Sequence, residues 1–320
     1  MSMTATSPPL TESVPVIDIG DLMSREALEA VDRACREWGF FQVTGHGLGA
    51  DAVSGLFATA AEFFAQPVET KRQIRRTADN PWGYFDEELT ANTLDRKQVF
   101  DFGPPNGAQL VPQWPAAMPQ FEAAVRAYYD ACENIAHRLL GAISVNLGMP
   151  ADYLSRDFTE SHTSFMRINF YPKDPADAPS ASDKPFGVHQ HTDAGALTLL
   201  MQDGQPGLEI CRDGVWHLVE PLGGALVINI GDIVQVWSND RYRAALHRVV
   251  TNPDRDRYSA PYFFNPSFET NYAPLPNTVT AATPAAYRPI NWREFRSLRA
   301  AGDYADLGDE VQITNYRIQR

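Results

Sequence analysis

The chain has 320 residues, of which 44% are hydrophobic and 21% charged, a balance that favours a globular protein over a disordered or membrane-spanning one. Its 40 acidic and 27 basic side chains give a net charge of -13 with no long basic run, so the acidity reads as a solvated surface and nucleic acid is not an expected partner. Cys35, Cys132 and Cys211 stand far apart and form no C-x-x-C pair, which predicts neither a disulfide framework nor a thiolate zinc site and fits a cytoplasmic protein. Met1 to Ser13 is polar, without a basic start leading into an apolar core, and no later apolar run approaches about 18 residues. Neither export nor a membrane partner is expected. Oligomeric state is not legible.

In chain order, the β-branched stretch Val14 to Gly20 predicts a strand, and Ser24 opens a helix reaching Glu37. Trp38 to Thr44 predicts a buried strand, and Asp51 to Phe64 a second helix. Ala78 to Pro119 is rich in Pro, Gly, Asn and aromatics and predicts a long functional loop, with Trp82, Tyr84, Phe85, Asn92, Gln98 and Phe100 available to cap a pocket. Phe121 to Leu147 returns to helical spacing, with Phe121, Val125, Tyr128, Tyr129, Cys132, Ile135, Ala136, Leu139 and Leu140 on one core-facing stripe. Strands follow at short intervals: Thr163 to Tyr171, Ala196 to Gln202, Leu208 to Cys211, Val215 to Val219, Ala225 to Ile230, Val234 to Trp237, His247 to Thr251 and Tyr258 to Phe264. Gly, Pro, Asn and Asp fill the gaps, the pattern of an all-β sandwich or barrel. Trp292 to Ala300 predicts a last helix. The fold class is therefore mainly β with flanking helices. It is divided into a mostly helical region 1–150, a β core 151–280 and a C-terminal helical region 281–320.

His191-Thr-Asp193 sets two ligand-type side chains two residues apart, hence on one face of an extended segment, and His247 supplies a third far downstream. Two imidazoles and one carboxylate form the 2-His-1-carboxylate set that holds non-haem Fe(II) and leaves positions open for dioxygen and a co-substrate. Arg257 and Ser259 project together from a strand and offer a guanidinium fork with a hydroxyl, suited to a carboxylate. Arg167, Asn169 and Tyr171 share one face of their strand, where polar groups turned inward need partners. His189 stands near His191, but the Thr-Asp pair that follows selects His191. His46, His137, His162 and His217 have no partner pattern.

Arg-x-Asn-x-Tyr-Pro (Arg167 to Pro172) is followed by His-Thr-Asp-x-Gly-x-x-Thr-Leu-Leu (His191 to Leu200), Asn229-x-Gly-Asp232, His-Arg-Val (His247 to Val249) and Arg-x-Ser (Arg257 to Ser259). This ordered set resembles the isopenicillin N synthase-like 2-oxoglutarate/Fe(II)-dependent dioxygenases. Val-Pro-Val-Ile-Asp (Val14 to Asp18) and Trp-Gly-Phe-Phe-x-Val-x-Gly-His-Gly (Trp38 to Gly47) extend the likeness over nearly the whole chain. The resemblance implies a double-stranded β-helix (jelly-roll) core in which His191, Asp193 and His247 bind iron. It also implies that Arg257 and Ser259 hold the far carboxylate of 2-oxoglutarate, with Asn169 and Tyr171 beside it. The implied reaction consumes O2 and 2-oxoglutarate, releases succinate and CO2 and oxidises a C-H bond of a small-molecule substrate, by default to an alcohol, with ascorbate stimulatory. Secondary metabolism is the expected setting.

For the substrate, Arg167 is a candidate carboxylate clamp, with an internal salt bridge as its alternative. Phe263 and Asn265, continuing the register of Arg257 and Ser259, are candidates to pack against the substrate and hydrogen-bond it. Three other readings stay open. An oxidative cyclase without 2-oxoglutarate would keep the triad and bind a substrate carboxylate at Arg257 and Ser259, with Gln319 as a faint link to isopenicillin N synthase. A zinc hydrolase would use a metal-bound water and leave Arg257 and Ser259 idle. A jelly-roll binding module would bind ligand without turnover.

Overall fold

The computed structural model describes residues 13–90, 93–105, 110–158, 161–173, 186–252, 254–304 and 311–319. Strand β1 (Val16–Asp18) leads to helix α1 (Arg25–Glu37), whose first turn is capped by the Ser24 hydroxyl accepting from the Ala27 N–H, 3.3 Å. Gly39, at φ +63°, reverses the chain into β2 (Phe40–Thr44); any side chain there would strike the Arg243 carbonyl. Helices α2 (Ala50–Phe64) and α3 (Val68–Lys71) follow, then β3 (Gly83–Phe85), the short pair β4 (Leu89–Thr90) and β5 (Thr93–Leu94), and β6 (Gln98–Phe102). The long helix α4 (Pro119–Asn146) buries all nine residues of its predicted stripe.

The β core consists of β7 (Phe165–Tyr171), β8 (Phe186–His191), β9 (Leu197–Gln202), β10 (Leu208–Arg212), β11 (Val215–Leu218) and β12 (Leu226–Ile230). After the short helix α5 (Asp232–Trp237) come β13 (His247–Val250), β14 (Arg257–Phe264), the small pair β15 (Asn271–Tyr272) and β16 (Ile290–Asn291), and α6 (Trp292–Tyr304). Eight strands form the major sheet in the order β1-β2-β12-β9-β14-β7-β6-β3, and β11-β10-β13-β8 form the minor sheet. Strand alternation sorts the two faces of the major sheet. Ile168, Leu199, Ile228 and Tyr262 join α4 in one core, whereas Phe40, Tyr171 and Val227 meet Val188, Leu208, Ile210 and Val249 of the minor sheet in another. The result is a jelly roll backed by helices, and the space between its sheets is where the site lies.

Three expectations change. Val234 to Trp237 is helix, not strand: Gly231 caps α5, and Ile233, Val234, Val236 and Trp237 are all buried, so the apolar run has no alternation to hold it in a sheet. The expected loop from Ala78 to Pro119 contains β3 and β6, which extend the major sheet beyond β7. Of the residues expected to cap a pocket, Tyr84 and Phe100 pack on Phe63 in the core and Gln98 accepts from Lys71, whereas Trp82 lines a cavity and Phe85 lies under the Arg75 and Arg76 guanidiniums; Asn92 lies outside the described residues. Finally, β8 ends at His191, so Asp193 lies in the following turn and not on the same extended face.

Candidate active site

His191 closes β8 and His247 opens β13, and the two are direct cross-strand partners. Their rings lie 4.3 Å apart between centroids. Asp193 swings in from the turn: its Oδ1 is 3.6 Å from His191 Nε2 and 3.7 Å from His247 Nε2. One ligand atom from each of the three residues falls within 4.8 Å of the others, a spacing a single metal ion can bridge.

The surroundings orient each donor. His191 Nδ1 lies 2.8 Å from the His189 carbonyl and His247 Nδ1 3.1 Å from that of Ala245; carbonyls only accept, so the Nδ1 atoms carry the protons and the Nε2 lone pairs face the cavity. Desolvation, reinforced by His247, pushes the His191 imidazole down to about 4, which keeps it neutral and available as a ligand. Asp193 Oδ2 accepts from Asn229 Nδ2 at 2.9 Å and from the Thr198 hydroxyl, leaving Oδ1 for a cation. Burial raises the Asp193 pKa, but His247, His191 and these two donors outweigh it and hold the group below the usual carboxylate range.

The Asp193 turn is itself clamped. Asp232 N–H donates to the Asp193 carbonyl, 2.8 Å. Arg299 of α6, 3% exposed, spans the Asp232 carboxylate at 3.0 Å and the carbonyl of Thr192, which lies between His191 and Asp193, at 2.5 Å. Gly195 and Gly231 let the turn close, because a Cβ on Gly231 would run into the Gly195 carbonyl. Sequence reasoning recorded Asn229 and Asp232 as motif positions without a task and passed over Arg299. The tasks are set by neighbours remote in sequence.

A cavity of about 90 Å³ joins the triad to the rest of the predicted set. Arg257, Ser259, Asn169, Tyr171, Arg167 and Phe263 all line it. Arg257 is opposite Tyr171 and Ser259 opposite Asn169 across β14 and β7, and Asn169 Nδ2 donates to Ser259 Oγ at 3.3 Å. The Arg257 side chain, 1% exposed as a residue, donates to Gln205 O (3.2 Å) and Gln202 Oε1 (2.9 Å), and its Nη1 has no acceptor among the described residues. A buried guanidinium whose acceptors among the described residues are neutral, with one donor unpaired, is suited to an anion.

Arg167 has a different fate. Its guanidinium meets Asp101 at 2.7 and 2.9 Å and Glu88 at 2.5 Å, the internal salt bridge rather than an idle clamp. Lys97, which the sequence reading missed, also lines the cavity and pairs with Asp95 (3.0 Å) and Glu88 (3.4 Å). Asn265 does not line the cavity: β14 stops at Phe264, and the amide turns to the Thr163 carbonyl, 3.3 Å. His189 faces Asp95 at 3.0 Å, away from the triad, and Gln319 is exposed.

A jelly roll that presents two imidazoles and a carboxylate beside a buried guanidinium suited to an anion has the donor set of non-haem iron oxygenases with an acidic co-substrate. Comparison with known proteins carries this further. Residues 162–266 match the 2OG-Fe(II) oxygenase superfamily, and residues 14–119 match the N-terminal region described as non-haem dioxygenase in morphine synthesis. Flavanone 3-dioxygenase 2 of Oryza sativa subsp. japonica is 34% identical over 291 residues, covering 88% of this chain and 82% of its own. The structure of JOX2 in complex with 2OG, Fe and JA superposes with a TM-score of 0.79 at 28% identity, over 89% of this chain and 84% of that one. A Neurospora crassa protein solved with alpha-KG and thymine superposes with a TM-score of 0.81 at 26% identity, over 90% and 96%. The chain belongs to the 2OG-Fe(II) oxygenase superfamily. It is a non-haem Fe(II)- and 2-oxoglutarate-dependent dioxygenase.

Proposed function

We propose that His191, Asp193 and His247 hold the Fe(II), and that Arg257 and Ser259 take the far carboxylate of 2-oxoglutarate with Asn169 and Tyr171 beside it. The observation that carries this assignment is the buried Arg257 guanidinium, which shares a cavity with three convergent ligand-type atoms and whose hydrogen-bond acceptors among the described residues are neutral. When bound, iron and 2-oxoglutarate supply the O2-driven oxidation of a C-H bond, with succinate and CO2 as products. The chain's own groups do the rest. The His189 and Ala245 carbonyls fix the two imidazole tautomers, and Asn229 and Thr198 occupy one oxygen of Asp193 so that the other faces the metal. Phe40, Val188, Leu200, Leu208 and Val249 make the wall apolar and exclude water.

The prime substrate is a small molecule that is hydroxylated, with Phe263 packing against it. The relatives' names, flavanone 3-dioxygenase among them, favour a place in secondary metabolism. Free Cys35, Cys132 and Cys211, and the lack of any described helix long and apolar enough to cross a membrane, favour a cytoplasmic setting. Residues 151–280 then act as the catalytic core, with 1–150 and 281–320 closing around it.

The test pairs an anaerobic Fe(II) titration with an assay for succinate. Wild type should bind iron and form succinate only with O2 and 2-oxoglutarate. His191→Ala and Asp193→Ala should each weaken iron binding by more than about 100-fold, above the loss expected for a residue that only orients a ligand. Wild-type iron affinity in either variant would refute the ligand assignment.

A further inference from the structure

A second cavity, about 340 Å³, lies one layer of side chains away from the metal cavity. Phe165 lines the larger and stacks at 4.7 Å on Phe263, which lines the smaller. Asp101 lines the larger and ion-pairs Arg167 of the smaller. Pockets for small molecules run to about 300–1,000 Å³. The metal cavity, at about 90 Å³, is far below that range and the second falls within it.

The walls of the larger cavity are mostly apolar, with Trp82, Leu110, Phe165 and Phe268 among them. The groups on it that carry or can take up charge are Asp101, His162 and Arg296. Asp101 is filled by Arg76 at 2.8 Å and Arg167 at 2.7 Å, and His162 is held by Glu133 at 2.7 Å. Arg296 has neither hydrogen bond nor ion pair among the described residues, although Arg293 and Arg299 on the same helix are paired with Glu269 and Asp232. The indole N–H of Trp82 is likewise buried without an acceptor. One uncommitted, half-buried guanidinium on an apolar wall selects its ligand by charge, and its planar fork matches a carboxylate.

We propose that this cavity holds the prime substrate, and that the substrate is an apolar small molecule bearing a carboxylate, anchored on Arg296 so that its far end reaches past Phe165 and Phe263 to the metal. The inference rests on the oxygenase reading and adds the chemical class of the substrate to it. Arg296 is its specificity-determining residue.

The test uses the full chain loaded with Fe(II) and 2-oxoglutarate under nitrogen, so that binding is read without turnover. Matched aryl- and cycloalkyl-alkanoic acids and their methyl esters are titrated while Trp fluorescence and heat are recorded. At least one acid should bind about 10- to 100-fold tighter than its ester, the range for a hydrogen bond to a charged group. Arg296→Gln should remove that preference and Arg296→Lys should restore part of it. Equal affinity for acids and esters, no binding by any acid, or a preference that survives in Arg296→Gln would each overturn the proposal. A separate 2-oxoglutarate titration of the same samples reads the metal cavity. If 2-oxoglutarate binds and the acids do not, the substrate inference alone falls; if 2-oxoglutarate itself fails to bind, the underlying assignment falls.

Discussion

Arg167 on β7 and Arg257 on β14 stand on neighbouring strands and line the same cavity, yet their surroundings are opposite. Arg167 belongs to a buried lattice in which Arg76, Lys97 and itself face Glu88, Asp95 and Asp101, three cations against three anions. Arg257 hydrogen-bonds a side-chain amide and a backbone carbonyl and forms no ion pair with a carboxylate among the described residues. A neutralised charge holds a scaffold together; under the proposed function, the charge with no ion pair among the described residues is the one that takes a ligand. Arg296 repeats the second condition in the neighbouring cavity.

The contrast breaks if the two arginines respond alike to removal. Arg167→Ala leaves Glu88 and Asp101 buried with too little positive charge, and should cost about 3–5 kcal/mol of folding free energy, measured by urea denaturation. If it instead chiefly raised the 2-oxoglutarate requirement, the scaffold reading would be wrong. Arg257→Ala should do the reverse: a rise of about 10- to 100-fold in the KM for 2-oxoglutarate with a far smaller change in stability. Steady-state kinetics on a variant of confirmed melting temperature decides it.

Arg299 sharpens the comparison from outside the cavity. As a positioning residue acting through the Thr192 carbonyl, its change to Gln should weaken Fe(II) binding by about 10-fold while the 2-oxoglutarate dependence stays near wild type. Calorimetric iron titration separates this from a general loss of stability. The smallest effect concerns acid. Burial raises the Glu88 carboxyl, but Arg167, Lys97 and Arg76 more than offset this and hold it well below the usual range. A depressed folded-state pKa contributes stability that is fully present above the unfolded value of about 4.3 and is lost as the pH falls below it. Between pH 5 and 3, the stability of Glu88→Gln should therefore fall less steeply than that of wild type, as followed by denaturation at each pH.

Much of this was legible in the chain. The α4 stripe follows from helical spacing, and most strands of the core from β-branched runs between turn residues. His191, Asp193 and His247 are a weak pattern taken alone, and it is the ordered motifs around them, with Arg257 and Ser259 downstream, that single them out. Asp193 shows the limit: it stands beside the two histidines, but it reaches them from a turn and not along the shared extended face that the spacing implied. α5 was missed because propensity favours strand for a Val-rich segment, whereas complete burial on all sides suits a helix equally well.

What the sequence determined by itself is the set of local conformations and the chemical inventory, because periodicity, turn residues and donor types are properties of short segments. What only the tertiary structure decided is which charges are cancelled. Arg167, Arg257, Arg296 and Arg299 are the same residue type in the chain. The carboxylates that pair the first and last, Asp101 and Asp232, lie tens of residues away, and the other two have no such partner among the described residues. Coulomb energy depends on distance in space and on the water excluded between the groups, and neither is written in the order of the chain.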